Sequence, residues 1–310
     1  MGPLACLLSA VAFGVMAVFA KLAYDDGVTL EALLLVRFGV AGALLLTVAG
    51  LRRRFRGTSR RAVVAGLLMG AVGYAAQAGL YFGALTRVDA SQVALVFCVY
   101  PLLVMVAAVL TGRERASRTR GAALAVALLG VALVLGGASA DGFDTGGAAL
   151  ALGSAVVYSV YILVGDRVAA ADPLAFAALV CCGAFGTFAV WSAARGVPDL
   201  TFPATGWLWL LLIALVSTVA AIVLFFFGLA RVGPTVASIL SIVEPVVTVT
   251  GAALVFGESL SVRQACGGLL VLWAVAIVQW PRPRAASPAG GGPGRTADPV
   301  PRGSDAVSPR

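Results

Sequence analysis

The chain has 310 residues, 61% apolar and 12% charged, with a formal net charge of +8. A soluble domain carries roughly a quarter of its residues as charged ones, so this composition, with a mean hydropathy of +1.01, excludes a water-soluble globule and excludes disorder for most of the chain. The apolar residues come in runs rather than in alternation, which points to an all-α integral membrane protein and not to a β-barrel. The absence of His removes His-ligated metals, His proton relays and Ser-His-Asp chemistry. Cys6, Cys98, Cys181, Cys182 and Cys266 all sit inside apolar runs without C-x-x-C spacing. They read as small buried hydrophobes, so no metal and no cofactor is expected.

A spanning helix needs about 20 mostly apolar residues. Ten segments qualify in chain order: 3–22, 31–50, 62–85, 90–110, 120–138, 146–165, 173–193, 206–229, 233–256 and 263–280. The breaks are charged or turn-forming: Arg52 to Arg61 after the second, Arg113 to Arg120 after the fourth, Asp141-Gly142 and Gly233-Pro234 further on. Seventeen Arg fall in the loops after even-numbered spans and in the tail, against four cations after odd-numbered spans. That bias predicts a plasma (inner) membrane protein with both termini cytoplasmic, and it accounts for the positive charge without nucleic acid. Met1 runs almost directly into the first span without a basic region, so no cleavable signal peptide is expected. Residues 281–310 hold seven Pro, five Gly and five Arg but no Leu, Ile or Phe, which predicts a disordered cytoplasmic tail.

The chain also resembles itself. A shift of 144 residues aligns 82–114 with 226–258, and identities include Arg87/Arg231, Val88/Val232, Pro101/Pro245 and Glu114/Glu258. A shift of 145 matches Ser9-Ala10-Val11 to Ser154-Ala155-Val156 and sets Phe13 against Tyr158. The expected organisation is a first five-helix repeat over 1–140, a second over 141–280, and the tail. Five spans per repeat invert the second copy relative to the first. The charges agree, because loops that are Arg-rich in the first copy keep only Arg195 and Arg263 in the second. Inverted repeats with a binding site between the halves are a secondary-transporter pattern.

Gly83-Ala84-Leu85-Thr86-Arg87-Val88-Asp89-Ala90, then Pro101, then Gly112-Arg113-Glu114, then Gly121 and Gly130, resembles the second half of an EamA-type repeat. Gly228-Leu229-Ala230, Glu244-Pro245, Gly257-Glu258 and Gly267 resemble the same motif again, and Arg37-Phe38 resembles the Arg-Phe of a second span. Over about residues 3–280 the chain is thus similar to EamA-type members of the drug/metabolite transporter superfamily, with Glu114 and Glu258 as family-motif residues. The resemblance implies ten helices in two inverted repeats and small metabolites as cargo, often exported.

Ionisable groups inside a membrane cost several kcal/mol and so mark candidate sites. Glu244 lies near the middle of the ninth predicted span, before Pro245; Arg37 lies about 10 Å deep in the second at 1.5 Å per residue. Glu244 can carry a coupling proton or meet a cargo amine, or it can be a structural carboxyl that bonds Ser241 or groups freed by Pro245. Arg37 can anchor a carboxylate or tie a helix end. Pro101 and Pro245 are kink or hinge candidates that line a cavity. Tyr100 is the repeat counterpart of Glu244. Tyr74, Gln77 and Tyr81 share one helix face, as do Tyr158 and Tyr161, and these can hydrogen-bond cargo or other helices. Gly66, Gly70 and Gly73 read as close-packing positions.

The expected function is secondary transport of a small-molecule solute across the lipid bilayer by alternating access. Export of an amino-acid-like compound is the leading reading, with protons as a possible coupling ion. Carriage of a base, sugar or drug is the alternative within the family. A channel and a membrane-embedded lipid-modifying enzyme are the other classes. No catalytic group stands out, so no enzyme is expected.

Overall fold

The computed structural model describes residues 1–112, 118–136, 144–168, 172–196 and 198–279. Glu114 and the tail expected from 281 lie outside the described residues. Those residues form helices and connecting turns, with no strand among them. In chain order the helices are α1 (Gly2–Asp25), α2 (Leu30–Leu51), α3 (Arg60–Leu85), α4 (Ala90–Leu110), α5 (Arg118–Gly136) and α6 (Thr145–Val168). Then follow α7 (Pro173–Arg195), α8 (Ala204–Gly233), α9 (Val243–Phe256) and α10 (Val262–Gln279).

Eight helices among the described residues are long and apolar enough to cross a membrane; the apolar stretches Gly121–Gly136 and Val243–Phe256 are shorter. The ninth predicted span is not one continuous helix. At its start the expected Gly233-Pro234 turn is present, with Gly233 at φ 79° and ψ 166°, which only Gly adopts readily, and helix then runs as far as Leu240. A turn at 241–242 then separates that piece from α9. The fourth span breaks in the same way, at 98–99, into Ala90–Phe97 and Tyr100–Leu110. Each break ends where a Pro enters the first turn of the following piece, at Pro101 and Pro245. Proline suits that position, because the amide it lacks would have no partner there anyway.

The two halves share a second irregularity. α3 carries a π-helical turn at Met69–Tyr74 and α8 carries one at Leu215–Ala220. Such turns insert a residue into the helical ladder and leave carbonyls displaced from their usual donors. Side chains from neighbouring helices compensate. Thr187 of α7 donates its hydroxyl to the displaced Ala71 carbonyl at 2.6 Å.

Polar caps fix several helix starts. Thr29 accepts from the Ala32 amide at 3.2 Å, Ser59 from Ala62 at 3.2 Å, and Asp172 from Leu174 at 3.0 Å. Between helices, contact is close because glycines face backbone. A Cβ on Gly130 of α5 would sit 2.6 Å from the Gly267 carbonyl oxygen of α10, and one on Gly267 would sit 2.6 Å from that of Gly130. Gly70 and Gly183 do the same for α3 and α7, facing the Val180 and Leu67 carbonyls. Small residues at crossings are how helices pack when lipid removes the hydrophobic drive between them.

Gly70→Val is therefore expected to force α3 and α7 apart at a cost of about 1–3 kcal/mol, read as a lower thermal midpoint of the purified protein. Gly79 has open space around its Cα, so Gly79→Ala should leave the midpoint unchanged or raise it.

Candidate functional site

Both broken helices and the π turn of α3 border a group of cavities that share lining residues. The most polar is lined by Arg37, Tyr74, Gln77, Tyr81, Tyr100, Tyr158 and Glu244, together with Phe13, Met16, Phe82 and Phe97. A neighbouring cavity of about 390 Å³ shares Phe13, Tyr74, Tyr100, Tyr158 and Glu244 with it and adds Tyr161, Phe176, Phe225 and Phe226. Pro101 and Pro245 border a smaller recess that also touches Tyr81, Tyr100 and Glu244. Residues scattered over more than 200 positions of sequence thus face one space.

Arg37 is 2% exposed. Its Nε donates to the Thr218 hydroxyl at 3.0 Å and its Nη2 to the Tyr74 hydroxyl at 3.4 Å. Its guanidinium carbon lies over the rings of Phe38 and Phe82 at 5.0 and 4.9 Å, cation–π contacts worth more in a desolvated setting than at a surface. Both polar partners sit on π turns: Tyr74 ends that of α3 and Thr218 lies in that of α8.

Glu244 stands in the first turn of α9. Pro245 leaves the Ser241 carbonyl without its usual donor, and the Glu244 amide takes that place at 3.0 Å. The Ser241 hydroxyl turns instead to the Ala237 carbonyl at 3.0 Å. The structural work anticipated for the carboxylate is thereby done by backbone, and no described residue hydrogen-bonds or ion-pairs with the Glu244 side chain. α1 presses close here. A Cβ on Gly14 would lie 2.7 Å from the Glu244 carbonyl oxygen, and Thr248 of α9 donates to the Gly14 carbonyl at 2.8 Å.

The aromatic candidates form a continuous belt. Tyr74 meets Tyr161 at 5.7 Å, Tyr161 meets Tyr158 at 5.9 Å and Tyr158 meets Tyr100 at 4.9 Å, measured between ring centroids. Phe97 links Tyr100 to Tyr81 at 5.3 and 5.2 Å. Such stacked, edge and tilted contacts hold the rings in place. The hydroxyls of Tyr81, Tyr100, Tyr158 and Tyr161 and the Gln77 amide bond no described residue, which leaves them open to a bound solute.

Sequence reasoning passed over Thr218, Phe97, Phe176, Phe225 and Phe226. Phe13 carried a signal, since the repeat sets it against Tyr158 and both line the polar cavity. Thr218 carried none, because only the π turn and the meeting of α2 with α8 reveal it.

Glu258 lies apart from the cavities, in the turn between α9 and α10. Its Oε1 accepts from Lys21 Nζ at 3.1 Å and from the Ala90 amide at 3.1 Å. Its Oε2 accepts from the Ser91 amide at 3.1 Å and the Ser91 hydroxyl at 2.7 Å. A carboxylate of the second half thereby caps α4 of the first and tethers the end of α1. Asp89 adds a looser pair to Lys21 at 3.6 Å. Burial pushes the Glu258 carboxyl up, but the Ser91 hydroxyl, Lys21 and the Ser91 amide outweigh it and hold the group below its ordinary value of 4.5.

A family model described as the EamA-like transporter family matches residues 1–136 and again 145–280. An uncharacterized transporter of Bacillus subtilis (strain 168), YcbK, is 27% identical over 284 residues, covering 86% of this chain and 90% of its own. A solved crystal structure shares the fold at a TM-score of 0.63 and 20% identity, over 89% of this chain and 95% of its own.

The lowered carboxyl of Glu258 sets a pH dependence. Its stabilisation is present above 4.5 and is lost as pH falls through the lower folded value. The thermal midpoint should therefore decline with acid below about 4.5. Glu258→Gln should lower the midpoint at neutral pH and shrink that decline, as differential scanning fluorimetry across pH would read.

Proposed function

The chain belongs to the EamA-like transporter family, and from that premise we propose that it exports small amino-acid-like metabolites as a secondary carrier. Transport of small solutes across a membrane follows from the family and from the transporter that it resembles. The narrower reading is carried by one observation: the guanidinium of Arg37 and the carboxyl of Glu244 line the same cavity without an ion pair between them.

Two opposite charges in a low-dielectric interior attract strongly, and leaving either alone is costly. A solute that carries both charges satisfies both sites at once. The carboxylate of an amino acid meets the Nη edge of Arg37, and its ammonium meets Glu244 and the tyrosine faces beside it. The larger aromatic-lined space accepts the side chain. A proton and an ammonium compete for the same Glu244 carboxylate, which makes the proton the natural coupling ion in a chain without His.

Ten crossings complete the scheme, with α5 and the broken segment ending in α9 serving as the fifth and ninth spans. Two inverted five-helix repeats, 1–140 and 141–280, alternate access to the site, with both termini on the cytoplasmic side of the plasma membrane. The paired breaks at 98–99 and 241–242 and the paired π turns support equivalent moving parts in the two halves.

Reconstituted in vesicles, the protein should drive gradient-dependent flux of labelled amino acids. Glu244→Gln should cut that flux at least about tenfold, the value of one charged hydrogen bond, and flatten its pH dependence. Undiminished flux with an intact pH profile in Glu244→Gln, or no flux for any amino acid, contradicts the proposal.

A further inference from the structure

We infer that Thr218 is a positioning residue for the anionic end of the cargo, acting through Arg37. The inference rests on the reading that Arg37 receives a carboxylate. It assigns a role in recognition to a residue of the second half, whereas the anchor itself belongs to the first.

A guanidinium offers two ring-like faces and two hydrogen-bonding edges, and a carboxylate can dock on either edge. At Arg37 the guanidinium carbon lies over two aromatic rings, Phe38 at 5.0 Å and Phe82 at 4.9 Å. The edge containing Nε is closed, because Nε donates to Thr218 Oγ1 at 3.0 Å. What remains for a solute is the terminal Nη edge, of which Nη2 makes only a long contact with Tyr74 at 3.4 Å. Thr218 therefore decides which edge the cargo meets and how the guanidinium plane is turned.

The hydroxyl is held for that task. Thr218 Oγ1 donates its single proton to the Ile213 carbonyl at 2.9 Å, so toward Arg37 it can only accept. The bond runs back five residues. In a regular α-helix a Thr hydroxyl reaches three or four residues back, so the π turn at Leu215–Ala220 creates this arrangement. Thr218 is fully buried and lines none of the described cavities, so it reaches the cargo through Arg37 and not directly. The neighbouring Ser217 hydroxyl is buried in the same turn and bonds no described residue, which makes it a matched control.

The experiment measures binding of three amino acids, L-leucine, L-serine and L-phenylalanine, and of their carboxamides, which keep the ammonium and side chain but lose the carboxylate. Thermal-shift titrations of the full-length protein read both series for the wild type, Thr218→Val, Thr218→Ser and Ser217→Ala. The wild type should prefer at least one acid to its amide by about tenfold. Thr218→Val should erase that preference by weakening the acid while leaving the amide within about twofold, and Thr218→Ser should restore it. Ser217→Ala should keep the wild-type preference. Equal weakening of acid and amide in Thr218→Val, or an unchanged preference, overturns the positioning role alone. A wild type that prefers no acid to its amide overturns the carboxylate reading of Arg37, and the role of Thr218 with it. Should Thr218→Val not fold, a Thr218→Ser that loses the acid preference overturns the inference, and one that keeps it while Thr218→Ala loses it upholds it.

Discussion

A buried guanidinium without a carboxylate partner is the demand that most of this site answers. An unpaired charge in a low-dielectric interior costs several kcal/mol. Around Arg37 every available means of lowering that cost is used: two aromatic faces, a threonine hydroxyl and a tyrosine hydroxyl. None of these is an anion. The charge is solvated but not neutralised, which is the state that a binding site for an anionic group requires.

The helical irregularities follow from that demand. Regular helices bury their own backbone groups and offer a charge little to bond. The π turns of α3 and α8 bring Tyr74 and Thr218 to Arg37 from opposite halves of the chain. The breaks at 98–99 and 241–242 bring Tyr100 and Glu244 to the rim of the same space. Weakened helices need firm neighbours. The glycine contacts of α5 with α10 and of α3 with α7 supply them, through backbone approaches that no larger residue permits. Glu258 adds a polar tether between the halves at the start of α4.

Composition and apolar runs were enough to read a helical membrane protein, because lipid imposes length and hydropathy on each span. The ninth segment shows where that reading stops. Gly233-Pro234 was legible as a turn, but hydropathy does not register the turn at 241–242, since it is written in backbone angles while the residues stay apolar. The candidate residues were legible for the opposite reason. A charged or hydrogen-bonding side chain in an apolar run is conspicuous, and Arg37, Glu244, Gln77 and the tyrosines share a cavity. Pro245 suggested structural work for the Glu244 carboxylate that the Glu244 amide performs instead. Thr218 was invisible because threonine is ordinary in a membrane helix, and its importance depends on which helix it faces.

The central claim is that one solute spans Arg37 and Glu244 with two charges of its own. It is tested most directly by thermal-shift titration of the wild-type protein with a matched trio: an amino acid that stabilises it, the amine lacking its carboxylate, and the acid lacking its amine. Ligand that binds the native state raises the melting temperature by mass action. The account predicts a clear rise with the amino acid and little with either fragment at the same concentration. A fragment that stabilises the protein as well as the whole amino acid would show that the two charges do not act together, and would contradict the account.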